Sequence, residues 1–132
     1  MLKVVIDTNV LVSSLLSSGP PAVIVDLIAD AKIAPFYNDL ILCEYFDVLS
    51  REKFGFSNLQ LTRLIEDIVR TGIAVENAKP SVFAMIDEDD RIFYDTAVGA
   101  LAYLITGNKK HFPLKSFVLT PIQFLAIYQE NN

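Results

Sequence analysis

The sequence has little of what disulfide-stapled or zinc-bound small proteins need. Its 132 residues contain one cysteine, one histidine and no tryptophan. A single cysteine cannot form an internal disulfide and cannot hold a zinc ion alone, which excludes disulfide scaffolds and zinc fingers. We therefore expect Cys43 to pack in the core.

Long hydrophobic runs are also missing, although 52% of the residues are hydrophobic. A membrane-spanning helix needs roughly 18 unbroken apolar residues, and each apolar run here is far shorter. Residues 2–6 lead into Asp7 without a small-residue cleavage site, so they indicate a buried strand and not a secretion signal. The sequence predicts one compact domain over residues 1–132, located in the cytoplasm and making no membrane contact.

Positive charge is in the minority, with 11 Lys and Arg residues against 16 Asp and Glu residues and a net charge of -5. This balance argues against a general electrostatic grip on nucleic acid. If four of the acids shared one pocket with bound divalent ions, the rest of the surface would be nearly neutral. The positions of the acids therefore matter more than their sum.

Short β-branched runs alternate with amphipathic stretches along the chain. These runs predict strands at residues 2–6, 33–37, 73–75, 103–106 and 117–119. The apolar spacing predicts helices at residues 8–16, 22–31, 39–53, 57–72, from 90 onward and after 120, with residues 78–85 as a connection. Pro35 is the one irregularity, since proline cannot donate to a sheet. Such alternation predicts an α/β fold, namely a three-layer α/β/α sandwich around a small, mostly parallel central sheet.

Acidic and amide side chains stand where a parallel sheet binds its ligands. Asp7 directly follows the first strand, and Asn108 follows the fourth strand by one glycine. Ligands bind beyond the carboxyl ends of such strands, so we expect both residues on one rim. Glu44 and Asp95 lie in segments that are apolar nearly all round, where an unpartnered carboxylate implies a cation or a raised pKa.

Clustered carboxylates without a Cys or His cluster are typical ligands of Mg²⁺ and Mn²⁺. Such ions activate water and stabilise the leaving oxygen in phosphodiester hydrolysis. The set therefore indicates a metal-dependent nuclease.

Four segments, taken in order, resemble the PIN-domain ribonucleases and especially the toxins of bacterial toxin–antitoxin pairs. They are Val-Val-Ile-Asp-Thr-Asn-Val-Leu-Val at residues 4–12, Glu44, Asp-Glu-Asp-Asp-Arg-Ile-Phe-Tyr-Asp at 87–95, and Leu-Ile-Thr-Gly-Asn at 104–108. The resemblance covers essentially the whole chain. It implies an endoribonuclease using Mg²⁺ or Mn²⁺, with Asp7, Glu44 and Asp95 as catalytic residues and metal ligands and Asn108 at the fourth position. It also implies a homodimer restrained by a small antitoxin protein.

Position 108 departs from the commoner family pattern, which has aspartate there. An amide oxygen still ligates Mg²⁺ but adds no charge, so we expect a second ion to bind more weakly. Asp90 is a further candidate ligand. It precedes Asp95 by about 140° around a regular helix, so it would face the same pocket only from the turn before the helix. We prefer Asp95 of the two.

Substrate contacts are expected on the same rim. The candidates are Thr8, Asn9, Thr106, Lys109 and Lys110, the two lysines as contacts to phosphates of a single strand. A structural role explains several of them nearly as well, with Asn9 as a helix cap and the lysines in a solvated loop.

Other functions remain open. A non-catalytic PIN-like module that binds RNA or protein would account for Asn108. A phosphohydrolase with Asp7 as nucleophile is less favoured, because position 9 is Asn9 where that chemistry usually has a second acid. His111 is a poor candidate for a general base, since a metal-activated water needs no imidazole.

Overall fold

The computed structural model describes residues 1–81 and 85–131. Its centre is a five-stranded sheet with the strand order β3-β2-β1-β4-β5, in which every pairing is parallel. The strands are β1 (Lys3–Ile6), β2 (Ala34–Tyr37), β3 (Ile73–Ala74), β4 (Tyr103–Ile105) and β5 (Val118–Leu119).

Helices flank this sheet. In the described ranges they are α1 (Thr8–Leu16), α2 (Pro20–Ala29), α3 (Asp39–Leu49), α4 (Asn58–Thr71), α5 (Arg91–Ala100) and α6 (Pro121–Glu130). Helix α5 packs on β1, β2 and β4, while α4 packs on β2 and α6 on β5. The predicted α/β fold is confirmed, and its central sheet is entirely parallel.

Reciprocal capping fixes the start of two helices. Ser57 Oγ accepts a hydrogen bond from the Gln60 backbone N–H at 3.1 Å, and Gln60 Oε1 accepts one from the Ser57 N–H at 2.9 Å. Thr120 and Gln123 form the same pair at the start of α6. Each pair satisfies two backbone N–H groups that the helix itself cannot.

Pro35 is accommodated inside the sheet because of where its missing N–H would point. Ala34 N–H donates to the Leu2 carbonyl of the β1 side at 3.0 Å, so the next residue faces β3. The β2–β3 ladder begins only at Phe36, so proline removes no hydrogen bond there. Gly72 lies against Pro35, and a Cβ at that position would overlap the Pro35 carbonyl.

Some predictions of detail were wrong. Helix α3 ends at Leu49 and a separate 3₁₀ turn, Glu52–Phe54, follows it, so the predicted helix 39–53 was too long. Cys43 is exposed on α3 and not in the core. The reason is helical periodicity, since α3 buries Ile41 and Tyr45 on its inner face and Cys43 lies between them on the outer face. Residues 82–84 of the predicted connection lie outside the described residues.

No single helix within the described ranges has the length and apolar character to cross a membrane. Helices α1 and α2 meet that criterion only together, as a pair bent by 102°.

The order of the strands creates a crevice between β1 and β4. From β1 the chain moves outward to β2 and β3, then returns to the other side of β1 to form β4 and β5. Connections therefore leave the carboxyl ends of β1 and β4 in opposite directions. Ligands of open α/β sheets bind at such a switch point.

Candidate functional site

Asp7 lies at the centre of this crevice, directly after β1 and at the N-terminus of α1. It is 5% exposed, and its backbone N–H continues the β1–β4 ladder by donating to the Ile105 carbonyl at 2.9 Å. Its carboxylate Oδ2 accepts a hydrogen bond from the Thr106 hydroxyl at 2.7 Å. Burial raises the pKa of Asp7, and the Thr106 hydrogen bond offsets part of that rise. The carboxylate is thus fixed in place while its charge is poorly compensated.

The turn after β4 is tied to the turn after β1. Thr106 Oγ1 accepts from the Asn108 backbone N–H at 3.0 Å, and Asn9 Oδ1 accepts from the Gly107 N–H at 3.1 Å. Asn9, the second residue of α1, therefore ties this helix to the turn after β4 and does not cap the helix as expected, because the N-cap position is occupied by Asp7. The hydroxyl of Thr8 is buried beside them and has no hydrogen-bond partner within the described part of the chain.

Asp90 reaches the crevice from the other side. It ends the 3₁₀ turn Glu88–Asp90, immediately before α5, and Asp87 caps that turn by accepting from the Asp89 N–H at 3.0 Å. The Oδ2 atom of Asp90 is buried and has no hydrogen-bond partner among the residues described. Burial raises the pKa of Asp90 to about 6, and the negative charges of Asp7 and Asp87 add to the rise. Asp90 therefore lies close enough to Asp7 for the two charges to repel each other.

Glu44 forms the outer rim of this acidic group. It is half-buried on α3, and its pKa is raised by burial first, then by the charges of Asp89 and Asp47 and more weakly by Asp7. Helix α3 is anchored beside Asp7 because the Tyr45 hydroxyl donates to the Ile6 carbonyl at 2.6 Å. The sequence analysis missed Tyr45, whose available signal was a polar-tipped aromatic next to Glu44 in an apolar helix face.

His111 brings an imidazole to the acids. It ends the 3₁₀ turn Lys109–His111 after β4, and its Nδ1 lies 3.5 Å from Asp90 Oδ2. The Asn108 side-chain nitrogen lies 3.2 and 3.0 Å from the two ring nitrogens. Lys109 extends away from this group, since its ammonium donates to Gln123 Oε1 at 3.1 Å. The sequence analysis had considered and set aside His111.

Asp95 does not face this group, which differs from expectation. Its side chain is buried, Oδ2 accepts a hydrogen bond from the Ser81 N–H at 3.2 Å, and Oδ1 has no hydrogen-bond partner among the described residues. It lines a separate small hollow together with Asn38, Pro80 and Thr96. The cause is the start of α5 after Asp90, which turns Asp95 about 140° away from it. Of the two candidate acids, the structure brings Asp90 and not Asp95 to Asp7.

The donor set suits a divalent cation. Asp7, Glu44 and Asp90 are carboxylates with raised pKa values, and Oδ2 of Asp90 is buried without a hydrogen-bond donor among the described residues. No three His, Cys, Asp or Glu side chains within residues 1–81 and 85–131 form a ready-made cation cage. A few carboxylates completed by water and substrate phosphate are the usual ligation of Mg²⁺. The residues present therefore fit an ion that retains part of its water shell.

Comparison with known proteins identifies the family. The sequence matches the PIN domain family over residues 3–110. The chain belongs to the PIN domain family. An uncharacterized protein of Methanocaldococcus jannaschii is 34% identical over 119 residues, which cover 86% of this chain and 76% of that protein. No solved structure matches the chain.

Membership in this family confirms the resemblance to PIN domains seen in the sequence. It also relates the acidic crevice to the general activity of the family. PIN domains are generally nucleases, and they typically use divalent metals. The part of this PIN domain that matches the family contains Asp7, Glu44, Asp90 and Asn108, and it ends immediately before His111.

Proposed function

We propose that this PIN domain is an endoribonuclease that depends on Mg²⁺ or Mn²⁺. The observation that carries the proposal is that the charges of Asp7 and Asp90 interact at the β1–β4 switch point, where the buried Asp90 Oδ2 lacks a hydrogen-bond donor among the described residues. Glu44 lies at the rim and interacts more weakly with Asp7. A bound divalent ion would supply Lewis-acid activation of water and neutralise charge on the scissile phosphate.

The chain's own residues hold and orient the ion's ligands. Asp7, Glu44 and Asp90 provide the carboxylates, and Asn108 provides a neutral amide. Thr106 restricts Asp7 to one rotamer through its 2.7 Å hydrogen bond, and Tyr45 fixes the position of α3 and hence of Glu44. In this proposal Asp90 takes the place that the sequence analysis gave to Asp95.

RNA is the proposed substrate because of the family resemblance and because Lys110 lies in the exposed turn beside the acidic crevice, whereas Lys109 is directed to Gln123. Positive side chains beside an acidic metal site contact the phosphates of a single strand without competing for the ion. Thr8 offers a buried hydroxyl that is free, within the described ranges, to donate to a phosphate oxygen.

The direct test is cleavage of a labelled single-stranded RNA, and of DNA of the same sequence, in EDTA, Mg²⁺ and Mn²⁺. We expect RNA cleavage only with metal. Asp7→Asn and Asp90→Asn should each lower the cleavage rate at least about a hundredfold, since removing one group that stabilises the transition state typically costs about 10²–10³ in rate. Asp95→Asn is the matched control and should cleave at a rate near that of the wild type. Cleavage in EDTA, or its persistence in Asp7→Asn, would contradict the proposal.

The chemical ends of the products give an independent check. Attack by water leaves no cyclic phosphate, whereas attack by the ribose 2′-hydroxyl produces one. Products with cyclic phosphate ends would point to a different mechanism or to a contaminating ribonuclease.

A PIN-like binding module is the second candidate function, and Asn108 favours it because one carboxylate of the usual set is replaced by a neutral group. This alternative predicts metal and RNA binding without cleavage under every condition above. Restoration of cleavage by Asn108→Asp would show that the amide alone limits the chemistry.

We further propose that the protein acts in the cytoplasm as the toxin of a toxin–antitoxin pair, as a homodimer restrained by a small antitoxin. The support is the resemblance to toxins of this family. Expression of the wild type should arrest growth of a bacterial host, and expression of Asp7→Asn to the same level should not. Normal growth with the soluble wild-type protein would contradict the toxin role, and a monomer in light scattering would contradict the homodimer.

A further inference from the structure

The acidic crevice contains one feature that carboxylate chemistry does not explain. His111 is the only histidine of the chain, and its Nδ1 lies 3.5 Å from the buried Oδ2 of Asp90. Asp90 Oδ2 has no hydrogen-bond donor in the described residues. The imidazole of His111 approaches this oxygen as an ion-pair partner.

The distance between His111 Nδ1 and Asp90 Oδ2 is close to the separation of two donor atoms that bind one metal ion. Two donors bound to one ion are about 2.9 Å apart in octahedral and about 3.4 Å apart in tetrahedral geometry, for bonds of roughly 2.05 Å. The observed separation of 3.5 Å lies just above the upper value. It is longer than a good charged hydrogen bond, which is typically about 2.7 to 2.9 Å.

The side chain of Asn108 lies against the imidazole. Its side-chain nitrogen is 3.2 Å from one ring nitrogen and 3.0 Å from the other, so the amide restricts the space into which the ring can turn. In the tautomer with the proton on Nε2, Nδ1 carries a lone pair on the atom that lies nearest Asp90 Oδ2.

From this geometry we infer that His111 is a nitrogen ligand of the proposed metal site and that it selects a first-row transition ion over Mg²⁺. The inference rests on the proposed function and deepens it, because it names the ion class that the same crevice takes. Imidazole and amide together replace the carboxylate that position 108 lacks. Nitrogen ligands favour transition ions, whereas all-oxygen sites suit Mg²⁺.

The test measures metal binding directly, on the full chain without any affinity tag that contains histidine. Mn²⁺ affinity is read from the electron paramagnetic resonance of the free ion, and Mg²⁺ affinity from competition with it. We expect His111→Gln to weaken Mn²⁺ binding by at least about tenfold, as loss of a metal-site group usually does, and to change Mg²⁺ binding by less than about threefold. Lys32→Gln, at an exposed position after α2 and outside the crevice, is the control and should change neither the Mn²⁺ affinity nor the Mg²⁺ affinity.

Nuclear magnetic resonance gives a second readout, and the single histidine makes it unambiguous. In protein labelled with ¹⁵N at the imidazole, Zn²⁺ as a diamagnetic probe should shift one ring nitrogen strongly. Asp90→Asn should reduce that shift at equal Zn²⁺ concentration. An imidazole that binds Zn²⁺ equally well in Asp90→Asn is a separate surface ligand, and that result would overturn the inference.

The outcomes separate this inference from the proposed function. If Asp7→Asn and Asp90→Asn abolish Mn²⁺ binding while His111→Gln keeps the wild-type preference for Mn²⁺ over Mg²⁺, only the inference about His111 is wrong. If Asp7→Asn and Asp90→Asn bind Mn²⁺ as the wild type does, the proposed metal-dependent nuclease site itself is wrong. A purely electrostatic pair of His111 and Asp90 predicts stronger binding of both ions in His111→Gln, which would also overturn the inference.

Discussion

The hydroxyl of Thr106 donates a 2.7 Å hydrogen bond to Oδ2 of Asp7 across the paired ends of β4 and β1. The hydroxyl oxygen of Thr106 also accepts a hydrogen bond from the Asn108 backbone N–H at 3.0 Å, so the Thr106 side chain orients both halves of the crevice. Because Thr106 is completely buried, water cannot replace it.

Replacing Thr106 by valine keeps the shape of the side chain and removes both hydrogen bonds. We expect Thr106→Val to lower the free energy of unfolding by about 1 to 3 kcal/mol, the usual cost of leaving a buried polar group unpaired. Mn²⁺ affinity should fall by about 10- to 100-fold, because Asp7 loses its orientation. Urea unfolding and titration calorimetry measure the two effects. Thr106→Ser should restore both, whereas Thr62→Val on the exposed face of α4 should affect neither.

The raised pKa of Asp90 predicts that the stability of the metal-free protein falls as pH rises, the opposite of the effect of a carboxylate whose pKa is lowered on folding. Its value is raised from 3.8 to about 6 in the folded protein, first by burial and then by Asp7 and Asp87. The folded state therefore binds a proton at a pH where the unfolded state has lost it, so without metal the stability falls as pH rises from about 4 to about 6. In EDTA at pH 7.5, Asp90→Asn should be more stable than the wild type.

Urea unfolding at several pH values checks this prediction. The difference between Asp90→Asn and the wild type should shrink as pH falls and disappear below about pH 3, where Asp90 is protonated in both states because its unfolded-state pKa is 3.8. Wild-type Mn²⁺ affinity should decrease as pH falls below about 6, because a carboxylate must be ionised to bind a metal. A Mn²⁺ affinity that stays constant between pH 7.5 and 5 would contradict the assignment of Asp90 as a ligand.

Asp95 should contribute to local order rather than to metal binding. Its Oδ2 accepts the Ser81 N–H at 3.2 Å, and Arg91 Nη1 donates to the Ser81 carbonyl at 2.9 Å, so α5 holds this segment from two sides. In Asp95→Ala the Ser81 amide should exchange with deuterium at least about tenfold faster, while Mn²⁺ affinity stays within about threefold. Hydrogen exchange by nuclear magnetic resonance measures the first effect. A loss of Mn²⁺ affinity as large as that of Asp90→Asn would return Asp95 to the set of ligands.

Two glycines should respond oppositely to alanine. A Cβ on Gly72 would overlap the carbonyl oxygens of Pro35 and Ile68, so Gly72→Ala should lower the free energy of unfolding by about 1 to 3 kcal/mol. Gly99 lies within α5, and its Cβ would make an ordinary 3.8 Å contact with Ala78. Gly99→Ala should therefore raise stability by about 0.5 to 1 kcal/mol. Equal effects of both substitutions in urea unfolding would contradict this packing.

The fold was predictable wherever a local pattern determines an element. The β-branched run before Asp7 forms β1, and the caps Ser57 and Thr120 start α4 and α6, because these signals depend only on neighbouring residues. The crevice was partly predictable for a related reason. Once the strands were assigned as parallel, the ends of β1 and β4 had to lie on one edge of the sheet.

The choice between Asp90 and Asp95 was not predictable, because it depends on where α5 begins to within one turn. Helix boundaries are the least certain part of a sequence-based prediction. Asp95 was also preferred in the sequence because its apolar neighbours suggested a buried charge that requires a cation. The structure gives one oxygen of that carboxylate, Oδ2, a backbone donor from Ser81, a contact between residues 14 positions apart that local sequence does not reveal, while Oδ1 has no partner among the described residues.

Asp7 and Thr106 are 99 positions apart, so the crevice exists only after β4 has docked beside β1. During translation, Asp7 and Glu44 are synthesised before β4, the strand that completes their surroundings. Truncated products that end before β4 should therefore be inert. The acidic crevice thus appears only after the ribosome has passed residue 105, the last residue of β4.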